Sequence, residues 1–153
     1  MTEKIDIDPH IKLLKDYYRR ILLYEGIAVV VFGFLYFFLK ESFQLEKQPA
    51  LMLKSIFFAI FLIAFPSLLS NFHSQVNKLH TGMSIKLKIE KYKKGYYFLN
   101  NSLFALFILC LIAFMFTGDY FVLVFLLADL FFIVYERPRD YRIKEILTTP
   151  DEV

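Results

Sequence analysis

The chain alternates between long uncharged runs and short charged clusters. Four of the runs approach the roughly 20 helical residues, at 1.5 Å rise each, that a hydrocarbon core about 30 Å thick requires. They occupy about residues 21–39, 50–70, 98–117 and 120–135. The pattern predicts an all-α fold, a polytopic membrane protein whose four-transmembrane-helix bundle fills residues 21–135. The fourth run is short, and only Thr117-Gly118-Asp119 separates it from the third. So brief a connection implies a tight hairpin of antiparallel helices. Gly118 supplies the backbone freedom for the reversal, and Asp119 is placed to cap the next helix.

The polar segments carry helical patterns of their own. In residues 1–20, Asp8-Pro9 reads as a cap followed by proline at the first helical position. Ile11, Leu14, Tyr18 and Ile21 then recur at helical spacing, so an amphipathic helix leads into the first span. Beyond Ser70, Phe72, Val76, Leu79 and Met83 repeat similarly, with Gly82 available as a stop. Residues 71–97 therefore form a helical extension. Within residues 84–94, Ile85, Leu87 and Ile89 alternate as in a strand, while Ile85, Ile89, Tyr92 and Tyr96 suit a helix. Helix is favoured, because only Gly95 interrupts the path into the third span. The tail, 136–153, opens on Arg137-Pro138-Arg139; Tyr141, Ile143, Ile146 and Leu147 suit a short surface helix, and the last residues are expected to fray.

Composition agrees with this outline. Hydrophobic residues make up 58% of the chain, above the roughly 45–50% usual in soluble domains. Mean hydropathy is +0.50. The single cysteine, Cys110, excludes an intramolecular disulfide and a multi-cysteine metal cage within one chain. A net charge of +3, with basic residues flanking apolar runs, argues against nucleic acid as a partner. The first apolar run follows twenty polar residues and lacks a small-residue cleavage pattern, so it reads as an anchor and not as a removable signal.

Charge asymmetry sets the expected orientation. Residues 1–20 hold five Lys and Arg, residues 71–97 six and the tail four, against Lys40, Lys47 and Lys54 on the other side. Both termini and the middle connection are therefore expected in the cytoplasm, with helices projecting into it. The tyrosines gathered at that level, among them Tyr17, Tyr92 and Tyr97, form an aromatic belt, and the basic rim suits anionic lipid. The compact layout and the Phe, Ile and Lys bias suggest a bacterial inner membrane.

Charges inside hydrocarbon cost about 2.5–3.5 kcal/mol on insertion scales, so each asks for an explanation. Asp129 lies eight residues before Arg137, about 12 Å from that end by helical rise, and is the deepest ionisable group. Glu25 lies five residues past Arg20. Asn100, Asn101 and Ser102 open the third span, and Ser70, Asn71 and His73 close the second. Four helices thus offer polar groups near one depth. The functional reading is a proton or cation site with Asp129 at its centre, Glu25 as second carboxylate, and the asparagines, Asn101 among them, and His73 in support. The structural reading, the commoner outcome, has Asp129 holding helices together through hydrogen bonds worth about 0.6–2 kcal/mol each, with Glu25 snorkelling or paired at the interface. Gly26 and Gly33, seven residues apart, suit close approach of another helix. Pro66 removes the bond to the Leu62 carbonyl and predicts a kink.

No metal-ligand spacing joins His10, His73 and His80, and no triad, phosphate loop or zinc motif occurs. No cofactor is expected. The reading that follows is a small non-enzymatic membrane protein, assembling with copies of itself or with other membrane subunits. The alternative is an oligomeric proton- or cation-linked transporter or channel using Asp129. A lipid-modifying enzyme is a weaker third.

Overall fold

A computed structural model describes residues 7–80 and 83–148. Gly82 and the tail beyond 148, the expected stop and the frayed end, lie outside the described residues. Among the described residues the regular structure is entirely helical: α1 (Asp8–Phe43), α2 (Lys47–Asn77) with a 3-10 turn at Lys78–His80, α3 (Ile85–Thr117), α4 (Val122–Tyr135) and α5 (Asp140–Thr148). Three of them, α1, α2 and α3, are long and apolar enough to cross a membrane. The chain is thus built for embedding in a lipid bilayer. At 36 residues α1 is about 54 Å long, more than a hydrocarbon core requires, whereas the 14 apolar residues of α4 reach only about 21 Å. Residues 84–94 continue helically into the third apolar run, as the favoured reading had it.

The centre of the bundle is α3, which packs against α1, α2, α4 and α5. Leu99, Leu103, Phe107 and Cys110, spaced four, four and three residues apart, are fully buried on its inner faces. By contrast α1 and α2 turn Val30, Phe34, Phe37, Leu62 and Ile63 outward. Such side chains gain nothing by mutual burial in lipid, which is as apolar as they are, so association rests on close packing and polar contacts. Phenylalanines supply much of the first. Phe57, Phe61 and Phe65 repeat every fourth residue along α2, and Phe57 and Phe61 meet Phe125 of α4 at 5.8 and 4.8 Å between centroids, while Phe65 meets Phe132 at 4.8 Å. Contacts of this kind add about 0.5–1.5 kcal/mol each beyond area.

Two connections lie at one end of the bundle. Gly118 closes α3 in the left-handed region, at φ 62°, and its N–H donates to the Phe114 carbonyl at 2.8 Å. Asp119 then accepts the Phe121 N–H at 2.8 Å; since Phe121 is itself the N-cap of α4, Asp119 fastens the turn before the helix and is not the cap that its position suggested. The α1–α2 connection is fastened alongside, where the Leu45 N–H donates to the Phe116 carbonyl at 3.0 Å. We call this the hairpin end. At the opposite, polar end, α5 lies against the first turns of α1 through the Lys15–Asp140 and Lys144–Asp8 ion pairs at 2.6 and 2.8 Å. Ile143 and Leu147 are buried beneath it in the core that also takes in Ile11 and Leu14.

The glycines and the proline divide the packing unevenly. A Cβ on Gly95 would come within 2.9 Å of Gln75 Oε1 and 3.6 Å of the Phe72 ring, so α2 and α3 are close there. At Gly26 and Gly33 nothing lies within 4 Å, so no helix of this chain uses them for close approach. Helix α2 continues through Pro66, which faces outward, and the hydroxyl of the adjacent Ser67 donates to the Ile63 carbonyl at 2.6 Å.

Candidate buried carboxylate site

The two carboxylates that interrupt the apolar runs are both drawn into the protein interior. Asp129 of α4 is 0% exposed and Glu25 of α1 is 2% exposed. All four of their oxygens are buried without a hydrogen-bond partner among the described residues. The two residues come from α1 and α4, both of which pack on α3. No Lys, Arg or His pairs with either one among the described residues. A buried carboxylate without a partner is strongly unfavourable as a charge in a medium of low dielectric unless a proton or a cation accompanies it.

Helix α3 adds the remaining polar groups. Asn100 is 1% exposed; its amide donates to the Tyr96 carbonyl at 2.9 Å, leaving Oδ1 buried and without a donor. The Tyr96 hydroxyl is likewise buried and unpartnered. Cys110 of the same helix is completely buried. Asn100, and not Asn101, is the asparagine turned inward. Asn101 is exposed and accepts the Tyr17 hydroxyl at 2.6 Å, a bond that joins α1 to α3 at the rim.

His73 belongs to a second cluster, nearer the polar end. Its Nε2 lies 3.4 Å from Glu136, whose buried carboxylate also meets Arg142 at 3.6 Å. Glu136 follows Asp129 by seven residues and so shares its side of the helical path, two turns on. Tyr18 precedes Glu25 by the same interval on α1 and is within electrostatic range of both Glu25 and Arg137. On each helix buried apolar residues stand in sequence among these polar groups: Ile21 between Tyr18 and Glu25, Leu99 between Tyr96 and Asn100, and Ile133 between Asp129 and Glu136.

Toward the hairpin end the lining changes. A groove of about 190 Å³ runs between α1, α3 and α4, lined by Val29, Gly33 and Tyr36 of α1, Met115 of α3, and Leu123 and Leu126 of α4. Val29, Gly33 and Tyr36 continue the stripe of α1 that carries Glu25, and Leu126 stands one turn from Asp129. Gly33 has no side chain to narrow this space, which gives it a place in the structure other than helix contact within this chain. Sequence reasoning placed Asn100 with Asn101 near the site and missed Tyr96 and Glu136 as members of the polar interior. The signal for Tyr96 was its four-residue spacing from Asn100, and for Glu136 its seven-residue spacing from Asp129. No group of three or more His, Cys, Asp or Glu able to hold a metal ion occurs among the described residues. No family model, curated protein or solved structure matches the chain.

Proposed function

We propose that this chain is a multi-pass membrane protein that carries a proton or a monovalent cation at the Glu25–Asp129 pair. One observation bears the proposal: two carboxylates from different helices are buried with every oxygen unpartnered and no basic residue paired to either among the described residues. A polypeptide that needed only helix cohesion gains nothing from a second unpartnered carboxylate beside the first. The pair is suited to accept and release a single positive charge, a proton shared between them or a cation held by both. On the hairpin side an apolar groove comes within one turn of each carboxylate, at Val29 and Leu126, which supports access from that side. The chain's own chemistry in such a cycle is simple: the carboxylates hold the charge, Asn100 and Tyr96 offer dipoles beside it, and surrounding phenylalanines and leucines exclude bulk water.

In this reading α4 is a fourth, short span, and the bilayer thins or the helix ends snorkel to accommodate it. The Lys and Arg excess at the polar end supports cytoplasmic placement of both termini and of residues 71–97, in a bacterial inner membrane. A second reading, a non-enzymatic subunit that assembles with itself or with other membrane chains, has specific support in Gly26 and Gly33, exposed on α1 with open space before them. The two are compatible if assembly brings a helix against that face. The decisive experiment reconstitutes the purified chain in liposomes and follows proton and cation flux, with particle mass measured alongside. Flux lost in Asp129→Asn with mass unchanged supports carriage. Liposomes no leakier than protein-free controls, together with stoichiometric foreign chains in the native preparation, favour the subunit reading.

A further inference from the structure

A separate groove of about 470 Å³ opens between the last turns of α2 and the first turns of α3. Lys91 and Lys94 stand three residues apart on one side of α3, and Lys78 faces them from the end of α2. Neither Lys91 nor Lys94 forms an ion pair among the described residues. The amides of Asn71 and Gln75, bonded to each other at 3.2 Å, add polar atoms on the α2 wall. The floor is apolar, made by the buried rings of Phe72 and Tyr92, and Gly95 leaves it open between them.

The position of the groove selects its occupant. On α2 the uncharged apolar run ends at Leu69 and polar residues begin at Ser70; on α3 the lysines end at Lys94 and the apolar run begins near Phe98. The groove therefore straddles the polar–apolar boundary on both helices at once. Phe98, 54% exposed, stands at its membrane-facing edge. A soluble anion would use the lysines and leave the apolar floor and Phe98 unmatched. We infer that the groove binds an anionic phospholipid, with the phosphodiester at Lys91, Lys94 and Lys78 and an acyl chain passing over Phe98 into the bilayer. This rests on the helices being embedded in a membrane and is independent of whether the Glu25–Asp129 pair carries an ion.

Native mass spectrometry of the full chain in a neutral detergent tests the inference, using phosphatidylglycerol and phosphatidylcholine of identical acyl chains. The wild type is expected to hold one phosphatidylglycerol in preference to phosphatidylcholine. Lys91→Gln/Lys94→Gln is expected to weaken that binding about thirty-fold, the factor that loss of two interfacial cations implies. Lys12→Gln/Arg19→Gln, equal in charge change but outside the groove, is expected to leave it unaltered. If the groove variant fails to fold, the wild type alone decides: added salt must weaken phosphatidylglycerol binding and leave phosphatidylcholine unaffected, while equimolar inorganic phosphate must not displace the lipid. Equal retention of the two lipids, displacement by inorganic phosphate, or equal losses in both double variants would overturn the proposal. The last of these would assign the effect to a diffuse basic rim.

Discussion

Asp119 and Asp129 stand ten residues apart on one helical hairpin and meet opposite surroundings. Asp119 has the Lys54 ammonium against one oxygen and the Phe121 N–H on the other, and Lys54 itself lies over the Phe58 and Phe121 rings at 5.4 and 5.7 Å. Every valence of that carboxylate is answered by the local fold. Among the described residues Asp129 has no hydrogen-bond partner and no paired cation, and it is not exposed. One residue type therefore serves two ends: at the turn it closes a hairpin, and in the interior it creates an unmet demand for positive charge. A charge in an apolar helix thus becomes informative only when its partners are known.

Substituting each aspartate in turn sharpens the contrast most. Asp129→Asn is expected to reduce ion flux in proteoliposomes at least about tenfold, the loss typical of removing the single group on which a charge-transfer step depends. The same substitution removes a buried, unanswered charge, so thermal unfolding in detergent is expected to be unchanged or delayed. Asp119→Asn is expected to leave flux within about twofold while lowering stability by about 1 kcal/mol or less, the range of a partly exposed ion pair. A marked loss of stability in Asp129→Asn with flux intact would return Asp129 to a structural role.

Next in size is Gly33→Leu, which tests whether the groove leading away from the pair is used. No atom lies within 4 Å of the position a Cβ would take, so the backbone tolerates the change, but the longer side chain enters the space between α1, α3 and α4. Flux is expected to fall by roughly an order of magnitude, as it does when a confined path is plugged, with particle mass unchanged. If assembly is lost instead, Gly33 serves contact between chains.

Smaller effects concern the turn. Gly118→Ala places a Cβ on a backbone at φ 62° and 2.8 Å from Gln44 Nε2, and is expected to cost about 1–2 kcal/mol in unfolding measurements. The smallest expected effect is on acid stability. The hydrogen bond from Lys54, then that from the Phe121 N–H, holds the Asp119 carboxyl below the usual aspartate value. Its contribution to stability is complete above the ordinary aspartate pKa and disappears as pH falls through the lowered value. Lys54→Gln removes the larger cause, so the remaining stability at neutral pH is slightly lower and less of it is left to lose on acidification. Unfolding midpoints recorded across this pH range for both proteins measure the difference.

The helical outline and the two acidic outliers were legible in the sequence, because long uncharged runs and isolated carboxylates need no partner to be noticed. The tight α3–α4 turn was legible for the same reason, through the strong local preferences of Gly118 and Asp119. The phase of α3 was not. Asn100 and Asn101 differ by about 100° around a helix apolar on every side, so no polar face marked which one turns inward. His73 was assigned to the site by depth alone, yet lies against Glu136, a contact set by how α2 and the end of α4 meet. Gly95 looked like a weak interruption of a helix and proved to be where α2 approaches α3, which depends on Gln75 and Phe72 twenty or more residues away.

Infrared difference spectroscopy of the whole chain in nanodiscs measures the central claim most directly, comparing two pH values with and without added sodium or potassium. The account requires a buried carboxyl band that responds to protons or to the cation, is lost in Asp129→Asn, and persists in Asp119→Asn. A spectrum with no responsive buried carboxyl, or one that Asp129→Asn leaves unaltered, would contradict it.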